Sequence, residues 1–225
     1  MTTPDLLPSL RHLVRGLTAI FWGLPSTLLI CVLMAMGEFP RALGFLPPVV
    51  TTGLLLVGVF ELSCYQPQER AWQLALDRAK LLALVNFGLA PFVYFWSRLP
   101  SEAYYFQIVI ALAVTGLLFL YQLNLVLQRL AAMLPDETLR EDIRFFTRLN
   151  LTLMLLGLVL VGGYHLLAQL EYLPQTVIEA LELGQLARIR FALVVVLVLL
   201  PVSVTMSLVW KTRDVVLSSV FGARS

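Results

Sequence analysis

The chain alternates between long apolar runs and short polar stretches, and the lengths of the runs constrain its fold before anything else does. Apolar residues dominate 17–37, 43–62, 81–96, 104–127, 149–170 and 191–210. Five of these six runs reach the roughly 20 residues that a helix needs to cross a hydrocarbon core of about 30 Å. Lipid offers the backbone no hydrogen-bond partner, so a crossing segment of this kind has to be helical. The pattern predicts an all-α polytopic membrane protein with six transmembrane helices, forming a single integral membrane domain over 1–225. The run 81–96 is the shortest and carries Asn86 and Pro91. Before it, 66–80 is amphipathic, with Trp72, Leu74 and Leu76 among Glu69, Arg70, Asp77, Arg78 and Lys80, and it is expected to lead into the third span as helix.

The most densely charged connector is 135–148. Pro135 followed by Asp136 and Glu137 suits a helix start, because proline fits the first turn and carboxylates complement the positive end of the helix dipole. Leu139, Ile143 and Phe146 then fall on one face, with Arg140, Glu141, Asp142, Arg144 and Arg148 elsewhere around the helix. This predicts an amphipathic helix lying in water. A second, more acidic connector spans 171–190, where Thr176 and Glu179 have capping-box spacing and Gly184 is expected to stop a short surface helix.

Composition sharpens the membrane reading. Charged residues make up 13% of the chain, against about 25% in ordinary soluble domains, and mean hydropathy is +0.86. Sidedness follows from where the basic residues fall. Twelve of the sixteen Lys and Arg fall on one set of alternate loops and termini, while Arg41, Arg98, Arg188 and Arg190 fall on the other. The positive-inside rule then places both termini in the cytoplasm, with the cytoplasmic (plasma) membrane as the expected location. The first run exceeds a signal-peptide core of about 7 to 15 residues, so it is expected to remain as a span, although Ala35-Met36-Gly37 has cleavage-like spacing. Cys31 and Cys64 would lie at depths separated by roughly 18 Å, too far for a disulfide.

The three hairpins implied by six spans have similar openings. Gly23-Leu24 follows Arg15 at the same interval as Gly88-Leu89 follows Lys80, and Gly157-Leu158 follows Arg148 with one extra residue. The sequence TGLL recurs at 52–55 and 115–118. Either a two-span unit is used three times, or a chain rich in Leu, Val and Gly repeats itself by coincidence.

Polar side chains within spans mark the candidate sites, because burying them in lipid is costly. Glu61, Asn86, Asn124, Asn150 and His165 are the residues singled out. Glu61 is either an ion ligand or a boundary residue, one turn from Tyr65. The amides either line a solute site beside helices kinked at Pro25, Pro91 and Pro201, or hold helices together by hydrogen bonds. His165 either faces an outer vestibule or sits at the interface.

No serine–histidine set, HExxH, GxSxG or paired intramembrane aspartate occurs, and no Gly-rich phosphate loop is present. Scattered basic residues and a net charge of +2 give no nucleic-acid signature. No cofactor or metal ligand set is expected. The expectation is a non-enzymatic membrane subunit or scaffold in contact with the bilayer, docking a membrane or cytoplasmic protein through Leu139, Ile143 and Phe146. The alternative is a small-solute or lipid permease.

Overall fold

A long helix, α1 (Leu6–Ala35), carries the first apolar run and continues through Pro25 without a break. The computed structural model of the protein describes the backbone of residues 6–37, 40, 43–133, 137–169 and 184–221, and side chains at 9–37, 40, 43–133, 137, 140–157, 159 and 199–217. The remaining described elements are α2 (Leu46–Ser63), α3 (Arg70–Leu89), α4 (Pro91–Arg98), α5 (Ala103–Met133), α6 (Glu137–Gln169) and α7 (Gly184–Phe221). All are α-helices. Among the described residues, four stretches are long and apolar enough to cross a membrane: Ser9–Ala35, Leu46–Ser63, Arg70–Arg98 and Ala103–Met133.

Several expected boundaries move. The stretch 66–80 leads into the third span as predicted, because α3 begins at Arg70 and runs to Leu89. Pro91, which has no N–H to offer the preceding turn, divides it from α4. From Glu137 the charged connector runs into the fifth apolar run as one continuous helix of 33 residues ending at Gln169, so the described part of the charged segment is the start of α6 and not a separate surface helix. Gly184 lies in α7, and the residues before it, 170–183, are outside the described ones. Thr176 and Glu179 lie outside the described residues.

Packing begins with α1 against α2. Gly16 and Gly58 allow the two backbones to approach so closely that a Cβ on Gly16 would stand 2.8 Å from the Gly58 carbonyl oxygen. Beside them, Leu13, Leu17 and Ile20 of α1 and Val59 and Leu62 of α2 are fully buried. Trp72 ties the start of α3 to the turn after α2, donating its indole N–H to the Tyr65 carbonyl at 2.9 Å. Large apolar side chains also cover the outside: Trp22, Val50, Val57, Leu81 and Val159 are all more than half exposed. Monomeric soluble proteins rarely expose extended apolar surface of this kind, whereas lipid accepts it. Cys31 and Cys64 are both free thiols.

The antiparallel course brings the start of α1, the end of α2, the starts of α3 and α6, and the ends of α5 and α7 to one end of the bundle. His12 meets Glu61, and Asp142 meets Lys211, across this end. It collects the basic residues Arg11, Arg15, Arg70, Arg78, Arg129, Arg140, Arg144 and Lys211. At the opposite end Arg98 lies over the Tyr94 ring at 5.2 Å, and Phe92, Phe95 and Tyr105 form an aromatic cluster.

Candidate functional site, an arginine-lined recess

Three of the predicted intramembrane amides make helix-to-helix bonds, although Oδ1 of Asn124 and of Asn150 is buried without a partner among the described residues. Asn124 of α5 and Asn150 of α6 each donate to the hydroxyl of Thr205 on α7, at 3.0 and 2.9 Å. Thr205 in turn donates to the Pro201 carbonyl at 2.8 Å, so its one hydrogen and both lone pairs are used. Asn124 also donates to the Leu120 carbonyl at 2.7 Å. The two asparagines are 1% exposed and Thr205 is fully buried, which puts this knot out of reach of any solute. Asn86 is engaged separately, accepting the Thr115 hydroxyl at 2.6 Å and joining α3 to α5.

Glu61 has a specific partner. The imidazole Nδ1 of His12 lies 2.6 Å from its carboxylate, linking the beginning of α1 to the end of α2. His165 lies on α6, and its side chain is outside the described ones.

The docking face expected on α6 is already occupied within the chain. Ile143 is fully buried in the core and Phe146 packs against it, while the side chain of Leu139 is outside the described ones. The periodicity located a genuine apolar face, but the bundle covers it. Glu141, Phe145 and Arg148 form the outward side instead, with Phe145 64% exposed.

Between α3, α5 and α6, at the basic end, is a recess of about 470 Å³. Arg78 comes from α3, Arg129 from α5, and Arg140 and Arg144 from α6. Gln122 and Gln128 add neutral donors from α5, and Leu74, Leu125 and three alanines supply the apolar wall. Among the described residues, no carboxylate lines it. Among the described residues, no ion pair joins Arg78, Arg129 or Arg144 to an acidic side chain, since the described pairs are His12–Glu61, Lys80–Asp77 and Lys211–Asp142.

Helix periodicity explains the convergence. Arg140 and Arg144 are four residues apart and therefore neighbours on one side of α6, as are Leu74 and Arg78 on α3. Asn86 opposite Thr115 sets the antiparallel register of α3 and α5. That register puts Arg78 near the level of Gln122, about two turns deeper than Arg129. Side chains lean towards the N-terminus of their own helix, so on these antiparallel helices Arg78 leans towards the basic end and Arg129 away from it. Each guanidinium carries several N–H donors, is positively charged and accepts no hydrogen bond. A site lined by arginines in this way is complementary to anions, above all to phosphate oxygens, which take two parallel N–H bonds from one guanidinium.

These arginines were counted in the sequence for sidedness alone. They lie on three helices up to 66 residues apart, and no local motif announces their meeting. Comparison with protein-family models, with curated proteins and with solved structures gives no match for this chain, so its functional reading rests on the side chains just described.

Proposed function

We propose that the protein is a non-enzymatic, six-span integral membrane protein of the cytoplasmic membrane, with both termini inside, that binds an anionic ligand in the arginine recess at its cytoplasmic end. One observation carries the reading: guanidiniums from three helices, those of Arg78, Arg129 and Arg144, line one recess with no carboxylate among its described lining residues. The assignment of α6 and α7 as the fifth and sixth spans is supported by their lengths of 33 and 38 residues and by the apolar runs within them.

Of the two expectations from the sequence, this reading is nearer to a lipid-handling protein than to a scaffold. Ile143 and Phe146, on which scaffold docking depended, are engaged inside the bundle. A solute path along Asn86 and Asn124 is disfavoured as well, because both amides are bonded between helices and shielded.

Thermal unfolding in an uncharged detergent tests the reading, with inorganic pyrophosphate and an anionic phospholipid titrated separately. A ligand that binds only the folded state adds about 2.7 kcal/mol of stability at one hundred times its dissociation constant. At least one of the two anions should raise the melting temperature of the wild type, and the Arg129→Gln/Arg144→Gln variant should lose most of the shift. If neither anion stabilises the wild type, or the variant responds equally, the reading is wrong.

A further inference from the structure

We infer that the recess receives the headgroup of a phospholipid carrying more than one negative charge, which enters sideways from the bilayer and lays its acyl chains along the groove between α3 and α5. The inference rests on the anion-binding reading and adds the chemical class of the ligand and its route.

The apolar wall supports an amphiphile over a soluble anion. Leu74 lines the recess on α3, and seven and eleven residues farther along the same face come Leu81 and Val85, 62% and 37% exposed. Leu125 lines it on α5, and seven and eleven residues back come Leu118 and Val114, 48% and 40% exposed. Residues at these intervals share a helix face. Two uncovered apolar stripes on adjacent antiparallel helices thus descend from the recess towards the middle of the bundle. A phosphate in water would use the arginines and leave the stripes idle. A lipid uses both.

The arginines set the charge of the headgroup. Three guanidiniums from three helices, Arg78, Arg129 and Arg144, are more than a single phosphodiester would occupy. Basic pockets between membrane helices at the cytoplasmic side suit multiply charged headgroups, each cation near the surface contributing to the attraction. Gln122 and Gln128 can donate to headgroup hydroxyl or ester oxygens.

Native mass spectrometry of the full chain tests this, using protein loaded from an equimolar mixture of three phospholipids: one zwitterionic, one singly charged, and one with a phosphate-monoester headgroup of higher charge. One copy of the highly charged lipid should be retained in preference to the others. Retention should fall roughly tenfold or more in Arg129→Gln/Arg144→Gln, and hold in Arg148→Gln, whose side chain is outside the recess. Arg129 and Arg144 are exposed, so the folding of the double variant is checked by its melting temperature without ligand. The deacylated headgroup, added at the same concentration, should not displace the lipid. If the deacylated headgroup or pyrophosphate competes on equal terms, or the singly charged lipid is retained as well, the inference is overturned while anion binding stands. If no anion is held through the arginines, both fall together.

Discussion

Replacing Thr205 by valine removes one hydroxyl and almost no volume, and it should unfasten three helices at once. Thr205 accepts from Asn124 on α5 and Asn150 on α6, and both bonds vanish with the hydroxyl. Asn124 keeps its bond to the Leu120 carbonyl, whereas no other acceptor for Asn150 Nδ2 is present among the described residues. In soluble proteins an orphaned buried polar group costs about 1–3 kcal/mol. Interhelical bonds within membranes average nearer 0.6 and reach about 1.7 kcal/mol, because the unfolded chain in lipid also finds partners. Two bonds lost should therefore cost about 1–3 kcal/mol, measured as the shift in reversible unfolding by a denaturing detergent. Adding Asn150→Leu to Thr205→Val removes the orphaned amide along with its missing partner. The double variant should then be no less stable than Thr205→Val alone, even though it carries one more substitution. A Thr205→Val protein within about 0.3 kcal/mol of the wild type, or a double variant that loses the sum of two independent changes, would refute the claim that this hydroxyl ties the helices.

The α1–α2 contact makes a sharper steric prediction: Gly16→Ala should cost about 1–3 kcal/mol, since its Cβ would meet a backbone carbonyl that cannot rotate away. Gly88→Ala, with nothing within 4 Å of the new methyl, should be neutral or stabilising by up to about 1 kcal/mol from helix propensity, and the same unfolding assay reads both. Ile143→Ser should destabilise by about 2–4 kcal/mol while Phe145→Ser leaves stability within about 0.5, because the first side chain is in the core and the second faces outward. The His12–Glu61 pair is partly exposed, so a double-mutant cycle with His12→Ala and Glu61→Gln should give a coupling of only about 0–1 kcal/mol. Reporter fusions at the two termini should read the same, cytoplasmic side; opposite sides would remove one span from the proposed six.

The helices were legible because hydrophobic length alone determines them. Four of the expected spans coincide with helices able to cross a membrane, and the amphipathic lead from Arg70 into the third span is present. What the sequence could not reveal is what each face meets. Leu139, Ile143 and Phe146 have the spacing of a buried stripe whether the cover comes from another protein or from the same chain, and only the tertiary arrangement shows Ile143 sealed by its own bundle. The same limit applies to single polar residues. Asn124 and Thr205 are 81 positions apart, and His12 and Glu61 are 49 apart, so none of them could be read as half of a pair. The repeat of Gly23 and Gly88 likewise conceals unlike surroundings: Gly23 lies under Leu55, whereas Gly88 is open. The recess shows the limit most fully, because its arginines have a meaning together that none has in its own segment.

The most direct test of the central claim labels the recess itself. Ala132 lines it, and in a Cys31→Ser/Cys64→Ser background, where both native thiols are gone, Ala132→Cys gives one reporter at the site. The rate of modification by a water-soluble thiol reagent is measured in bilayers of zwitterionic lipid, and again after anionic phospholipid or pyrophosphate is added. Occupation of the recess should slow the reaction severalfold, and Arg129→Gln/Arg144→Gln in the same background should abolish that protection. A labelling rate that is the same with and without either anion would contradict the account.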